Sequence, residues 1–285
     1  MCSGRPVRGK RTKPRGKSGS SASGMLLLSL RLRIEGSNIF LTGASSGIGA
    51  ALAVELTRRG ARVAAVSRRA SAGVAVSIRA DLAIPEERAR AVGEALAALD
   101  RIDILINNAG VGVYAPSWKT PMDDMRHMFE VNLFGAVDLT QRLAPSMVAR
   151  GSGLVVNVAS IASKVTLPWF TLYSASKAAL EAFTRGLRME LASTGVGAML
   201  VCPGYVKTNF QNAVLGGRPP EKLVSGKRFA STAGAVALAV ADGIERNART
   251  VMTPALGWAL VAAARLAPGV VDGRLRAMME SIGDE

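Results

Sequence analysis

The chain has 285 residues, 49% hydrophobic and 20% charged, with 36 Lys and Arg against 21 Asp and Glu. This composition supports a substantial core and excludes global disorder, and the length fits one large α/β unit better than two full domains. The two cysteines, Cys2 and Cys202, form neither a disulfide framework nor a metal-ligand spacing, so no metal is expected and a reducing, cytoplasmic setting is.

The formal net charge of +15 invites a nucleic-acid or anionic-membrane partner, but it is unevenly placed. Residues 1–24 carry Arg5, Arg8, Lys10, Arg11, Lys13, Arg15 and Lys17 with no acid. Gly- and Ser-rich and nearly free of large apolar residues, they read as a disordered basic tail. No nucleic-acid partner is expected. The apolar run Met25–Leu30 that follows is too short for a signal peptide, and no cleavage pattern comes after it.

From Ser37 strands and helices alternate. The pattern predicts strands at Asn38–Thr42, Arg62–Ser67, Val74–Arg79, Ile102–Asn107, Leu154–Ala159 and Gly197–Cys202. It predicts helices at Ile48–Arg58, Pro85–Leu99, Met122–Ala149, Leu172–Ala192 and Ser231–Arg246, then a short strand near Arg249–Met252. Most strands are continuous apolar runs, which indicates a parallel sheet covered on both faces.

Thr42-Gly43-Ala44-Ser45-Ser46-Gly47-Ile48-Gly49 joins the first strand to the first helix. Glycines there allow a tight turn and close approach of backbone N–H groups to a pyrophosphate, and the helix N-terminus adds a favourable dipole. The same residues spell G-x-S-x-G, which a nucleophile elbow would also show. That reading needs a histidine base, and the chain has only His127, inside a helical pattern, where it reads as an ordinary helix residue.

Four further signals follow in order. Asn107-Asn108-Ala109-Gly110 closes the fourth strand, Asn132 lies in the long helix, Ser160 follows the fifth strand, and Tyr173-Ser174-Ala175-Ser176-Lys177 opens the next helix. Together with Thr42–Gly49 these residues resemble the short-chain dehydrogenase/reductase family, over about Gly36 to Thr208. The resemblance implies a Rossmann-like doubly wound parallel sheet in one domain, residues 25–253, with a substrate lid at about 205–229.

Tyr173 and Lys177, spaced i and i+4, share one helix face. A free phenol titrates near ~10, and a neighbouring ammonium lowers that value, so Tyr173 is read as the proton donor and acceptor at a carbonyl or alcohol oxygen. Ser160, just past a parallel strand, is placed to hold the same oxygen. The resemblance adds that Lys177 binds the nicotinamide ribose and that Asn132 positions a water linking Lys177 to solvent. It also implies that Asp81 and Leu82 bind adenine and that Asn108, Ala109 and Gly110 line the adenosine ribose. Pro203, Gly204 and Val206 through Thr208 then touch the carboxamide and pyrophosphate. In the first turn Gly43, Ser45, Ser46, Gly47, Ile48 and Gly49 take the phosphates.

An acid closing the second strand would hold a ribose 2′-hydroxyl and repel a 2′-phosphate. The chain instead has Val66-Ser67-Arg68-Arg69. Guanidinium geometry suits a phosphate, so NADP(H) is expected over NAD(H), with Arg68 the main contact and Arg69 a second. One departure stands out: only Ala70–Gly73 separates Arg69 from the third strand, where the family usually carries a helix.

Phe210, Val214 and Leu215 in the lid, with Trp169 and Phe170 ahead of Tyr173, are candidates for an apolar substrate pocket. Residues 254–285 read as an apolar and basic helical extension: Ala255–Ala264 with Trp258, then Leu266, Val270, Val271, Leu275, Met278 and Met279 among Arg265, Arg274 and Arg276. The apolar run is too short to span a bilayer, leaving oligomer packing or weak peripheral membrane association. The resemblance implies a homodimer or homotetramer through the two longest helices. The sum is an NADP(H)-dependent oxidoreductase acting on a lipophilic carbonyl or secondary alcohol. The competing reading is a non-catalytic dinucleotide-binding or redox-sensing module on the same fold.

Overall fold

The computed structural model describes residues 32–208, 210, 214–217 and 230–283, with side chains as far as residue 277. The basic tail 1–24, the run Met25–Leu30, most of the lid after Thr208, and the side chains of Met278 and Met279 lie outside the described residues. Seven parallel strands form one sheet: β1 Asn38–Thr42, β2 Arg62–Ser67, β3 Val76–Arg79, β4 Ile104–Asn107, β5 Gly153–Val158, β6 Val196–Pro203 and, after a small pair β7 Val206–Lys207 and β8 Ser231–Thr232, β9 Thr250–Thr253. Their spatial order is β3-β2-β1-β4-β5-β6-β9. The chain reverses direction across the sheet between β1 and β4, and ligands of open α/β sheets collect beyond the strand ends at such a switch.

The apolar strands bury both faces. On one side Leu52, Leu56, Val236, Val240 and Ile244 cover Ile39, Leu41, Ile104 and Val156. They come from α1 Gly47–Arg58 and α6 Ala233–Glu245. On the other, α2 Pro85–Leu99, α4 Gly135–Ala149 and α5 Thr171–Glu190 lay Ala91, Leu99, Leu139, Leu143 and Leu187 on Phe40, Leu105 and Val155. Each fully buried leucine or isoleucine here contributes roughly 1.5–3 kcal/mol of transfer free energy. No helix forms between Arg69 and Val76; Val74 packs from that short connection onto the first face.

Two expectations are refined. The helix predicted over Met122–Ala149 is three pieces: α3 Met122–Phe129, a π turn Glu130–Phe134, and α4. Apolar periodicity is blind to one extra residue in a turn, yet that residue rotates Asn132 into the interior, where it is 1% exposed. The extension folds as two helices, α7 Gly257–Leu266 and α8 Pro268–Gly283. Val261, Ala264, Val271 and Leu275 pack on Ala159, Ile161, Val165 and Cys202, at the sheet's C-terminal edge. Among the described residues no helix is long and apolar enough to cross a membrane.

Candidate active site

The first turn is shaped by three glycines, each for its own reason. Gly43 has φ +68°, and a Cβ there would sit 2.8 Å from Ala109 Cα. Gly49 takes an ordinary φ, but its Cβ would lie 2.0 Å from the Gly43 carbonyl oxygen. Gly47 combines φ +55° with a close approach to Thr208, whose Cβ is 3.3 Å from the same construction. The turn is also stitched to the end of β4. The Thr42 hydroxyl accepts the N–H groups of Asn108 and Ala109 at 2.9 and 3.0 Å, and the Asn108 amide donates to the Thr42 carbonyl at 2.9 Å. Asn108 therefore braces the turn with its side chain. Ser46, the N-cap residue of α1, makes no side-chain cap bond, and the first turn of α1 holds no acid. Its N–H groups and dipole are thus directed past Ser45, Ser46 and Gly47 into the cleft, an arrangement suited to an anion. Ile48 turns the other way and packs on the core.

At the end of β2, Arg68 and Arg69 are exposed, and no described residue pairs with either guanidinium. The Gly43 N–H donates to the Val66 carbonyl at 2.8 Å, which sets the glycine turn beside these arginines. After β3, Asp81 accepts the Ala83 N–H at 3.0 Å, and the buried Leu82 gives its carbonyl to Arg88 at 2.7 Å. Arg88 continues to Glu130 and Asp138, pinning α2 to the π turn and α4. On the far side of the switch, Pro203 ends β6 and the Gly204 N–H bonds the Thr253 carbonyl at 2.8 Å. Val206 packs on the core, and Thr208 closes on Gly47. The two groups of predicted cofactor residues therefore meet across the first turn.

Tyr173, Lys177, Ser160 and Asn132 converge at the ends of β4 and β5. Lys177, 3% exposed, donates to the Val158 carbonyl at 3.0 Å, and its amine lies 5.9 Å from the Tyr173 ring centre. Ser160 caps a short 3-10 turn, Ile161–Ser163, its oxygen accepting the Ala162 N–H at 3.1 Å. Its hydroxyl also lies close enough to the Tyr173 phenol to favour the ionised form of that group. The Asn132 amide is engaged on both sides: it accepts from Val111 N at 2.8 Å and donates to Val111 O and Ser176 Oγ at 2.9 and 3.0 Å. In this structure it ties the loop after β4 to α5. A Cβ on Gly110 would lie 3.2 Å from both Asn132 Oδ1 and Lys177 Nζ, so only glycine leaves that space open.

The electrostatics differ from the sequence expectation. Burial pushes the Tyr173 phenol up to about 12, and the Ser160 hydrogen bond pulls it down only in part. Burial also pulls Lys177 down to about 8. The Lys177 amine, bonded to Val158 and 5.9 Å from the Tyr173 ring centre, does not offset the desolvation of the phenol. At neutral pH Tyr173 is protonated and can donate; Lys177 stays mostly charged beside it.

Around Tyr173 lies an aromatic wall. Its ring meets Phe170 at 6.0 Å and Phe210 at 5.8 Å, and Phe170 meets Tyr114 at 5.0 Å. Trp169, held at φ +63°, packs on Tyr114 at 5.3 Å, and Val214 closes the group. Leu215 joins a neighbouring cluster with Val111, Val113 and Tyr173. The sequence reading missed Tyr114, which no motif marks. It also missed the buried chain Asn107–Asn157–Thr184, whose bonds of 2.8 and 2.9 Å seat α5 on β4 and β5. A polar residue in an apolar strand was the one available signal for Asn157. His127 lies on α3, half-buried. The Cys202 thiol is buried and pushed up to about 11, which makes it unreactive.

The pattern described as short chain dehydrogenase matches residues 37–217. The ketoacyl reductase HetN of Nostoc is 34% identical over 259 residues, 84% of this chain and 88% of its own. The oxidoreductase YbbO of Escherichia coli is 35% identical over 247 residues, 82% and 91% respectively. Among solved structures, a Burkholderia cenocepacia short chain dehydrogenase in complex with NADP superposes with a TM-score of 0.71 at 32% identity, covering 86% of this chain and 99% of that one. A Sphingobium yanoikuyae short-chain dehydrogenase in complex with NADPH gives 0.69 at 28% identity, covering 86% and 96%. With the glycine turn, the phenol, the buried amine and the strand-end serine on one sheet edge, this chain is a nucleotide-binding oxidoreductase of the short-chain dehydrogenase/reductase family.

Proposed function

We propose that the protein is an NADP(H)-dependent carbonyl reductase or alcohol dehydrogenase acting on lipophilic substrates. The observation that carries this is the group Ser160–Tyr173–Lys177, packed together at the cleft end of β5 and flanked by an aromatic wall. The protein residues fit a dinucleotide. Gly43 and Gly49 form a cradle that a Cβ would fill, α1 opens onto it uncapped, and Arg68 is exposed at the end of β2 with no partner among the described residues. When bound, the nicotinamide supplies or accepts the hydride. Gly43 through Gly49 would hold its pyrophosphate, Arg68 and Arg69 the 2′-phosphate, and Lys177 the ribose beside it. Asp81, Leu82 and Asn108 through Gly110 would flank the adenosine, and Pro203 through Thr208 the carboxamide.

The chain's own residues supply the proton chemistry. Ser160 and Tyr173 both direct hydroxyl groups at one substrate oxygen. Tyr173 gives its proton to that oxygen as the carbonyl is reduced and takes it back in the reverse direction. Lys177 beside the ring stabilises the phenolate left behind. Asn132 keeps Val111 and Ser176 in place, so that Gly110 leaves the amine its space. Phe170, Phe210, Tyr114 and Val214 exclude water and suit an acyl chain or ring system. The intact proton-transfer group argues against a non-catalytic module. The test is turnover of octanal, 2-decanone and ethyl acetoacetate, followed by NADPH absorbance. Cofactor binding without turnover of any of them would favour the non-catalytic reading.

The cofactor preference rests on Arg68. Arg68→Asp is expected to raise the KM for NADPH at least about tenfold, since a charge-assisted phosphate contact is lost and repulsion added. The KM for NADH should fall. An unchanged NADPH preference would refute the assignment.

Assembly belongs to the same proposal. Leu256, Leu260, Leu266 and Val270 are exposed on the extension, and Leu266 is 87% exposed. A helix with apolar residues on its outer as well as its inner face is normally covered. A homodimer or homotetramer is expected through this surface and the long helices. Leu266→Asp with Val270→Asp should shift sedimentation velocity toward a smaller species. A wild-type monomer at micromolar concentration contradicts this.

A further inference from the structure

Helix α5 carries three functional-looking side chains at four-residue spacing: Tyr173, Lys177 and Glu181. The first two are accounted for. Glu181 is an acid only 9% exposed, on the same helical stripe. Its carboxylate faces the 3-10 turn that follows Ser160. One oxygen lies 2.6 Å from the Ser163 hydroxyl, and the other is paired with the Lys164 amine. Ser163 in turn holds Ser160 through its backbone N–H, which donates to the Ser160 carbonyl at 3.0 Å, while its single hydroxyl hydrogen serves the Glu181 carboxylate.

The pair is sealed from outside by the C-terminal extension. The Trp258 ring lies 5.6 Å from the Lys164 amine, a cation–π contact. The start of α7 presses on the same turn, since a Cβ on Gly257 would come within 3.1 Å of Ile161 Cδ1. A buried ion pair is a weak source of stability, because desolvation offsets the attraction. What it does supply is a fixed geometry between the two elements it joins.

We propose that Glu181 is a positioning residue for Ser160. It ties the Ser160 turn to the helix that bears Tyr173 and Lys177, with Lys164 as its counter-ion and Trp258 as the cover. The extension thereby becomes part of the active-site frame. The inference rests on the proposed role of Ser160 at the substrate oxygen. Held this way, the Ser160 hydroxyl stays in register with the Tyr173 oxygen; released, it drifts, and small misplacements of a catalytic group are costly.

The test uses the full chain with octanal and NADPH. Glu181→Ala should lower kcat about ten- to hundredfold with the KM for NADPH little changed. Glu181→Gln, whose amide still accepts from Ser163, should retain most of kcat. Adding Glu181→Ala to Ser160→Ala should cost nothing further, because both changes act through one hydroxyl. Additive losses, or wild-type kcat in Glu181→Ala, would overturn the proposal. Wild-type kcat in Ser160→Ala would instead remove the catalytic reading on which it stands. Should Glu181→Ala fold poorly, Lys164→Met with Glu181→Leu removes both charges and should show the same loss. Hydrogen exchange gives an answer without turnover. The Ala162 and Ser163 amides should exchange faster in Glu181→Ala than in Glu181→Gln, while β1 is unaffected. Equal protection in the two variants also counts against it.

Discussion

Tyr173→Phe is expected to lower kcat/KM by about 10²- to 10⁴-fold, the range general acid catalysis contributes. The loss should fall on kcat, because the phenol hydrogen acts only as the oxygen gains electrons. NADPH affinity, read by fluorescence, should stay near wild type, since the phosphate turn and Arg68 are untouched. The fold should also survive. The ring remains against Phe170 and Phe210, and only the hydroxyl beside Ser160 is lost. Steady-state rates over pH add a second reading. A phenol held near 12 by burial stays protonated through neutral pH, so reduction should show no loss of Tyr173 as donor below about pH 10. A variant turning over at the wild-type rate would remove Tyr173 from the chemistry.

Lys177→Met is expected to do two opposite things: abolish most activity and stabilise the fold. The amine is 3% exposed, and burial takes it from 10.5 to about 8. Keeping it charged at pH 7 therefore costs the folded state about 3 kcal/mol. Methionine has similar length and no charge. It leaves the Val158 carbonyl without a donor, which offsets about 1 kcal/mol, so a net gain of about 2 kcal/mol is expected. The sign follows from proton binding. Between about pH 8 and 10.5 the unfolded chain holds a proton on this lysine that the folded chain has released. Wild-type stability from this group therefore rises with pH across that window and is lowest below it. The variant should be more stable by the full amount at pH 7 and should lose its advantage by about pH 10.5. Denaturant unfolding at pH 7 and pH 10 measures both. A variant less stable at pH 7 would show that Lys177 is not a destabilising charge kept for function.

Much of this frame was legible before any coordinates. Short continuous apolar runs such as Ile39–Leu41 and Val63–Val66 fit strands buried on both faces, and the alternation with helices orders them. The first turn was legible because a phosphate cradle needs glycine where a Cβ would collide, and Gly43 and Gly49 meet that need. Tyr173 and Lys177 were legible because a four-residue spacing puts them on one helix face. The π turn at Glu130–Phe134 was not, since one extra residue barely alters apolar periodicity. The state of the phenol was also beyond the sequence. It depends on how deeply the phenol is buried and on where the Lys177 amine sits relative to it, 5.9 Å from the ring centre, which no residue spacing reports. Tyr114 and Glu181 were missed for a related reason. Each acts through residues distant in the chain: Trp169 and Phe170 for one, Ser163 and Lys164 for the other.

One measurement bears most directly on the claim that this cleft transfers hydride while Tyr173 moves the proton. NADPH carrying deuterium at its transferable positions is incubated with octanal, and the alcohol is examined by mass spectrometry. The account predicts deuterium on the carbinol carbon with the wild-type chain and a rate at least about a hundredfold lower with Tyr173→Phe. Equal rates of labelling by both proteins, or an unlabelled alcohol from the wild type, would contradict it.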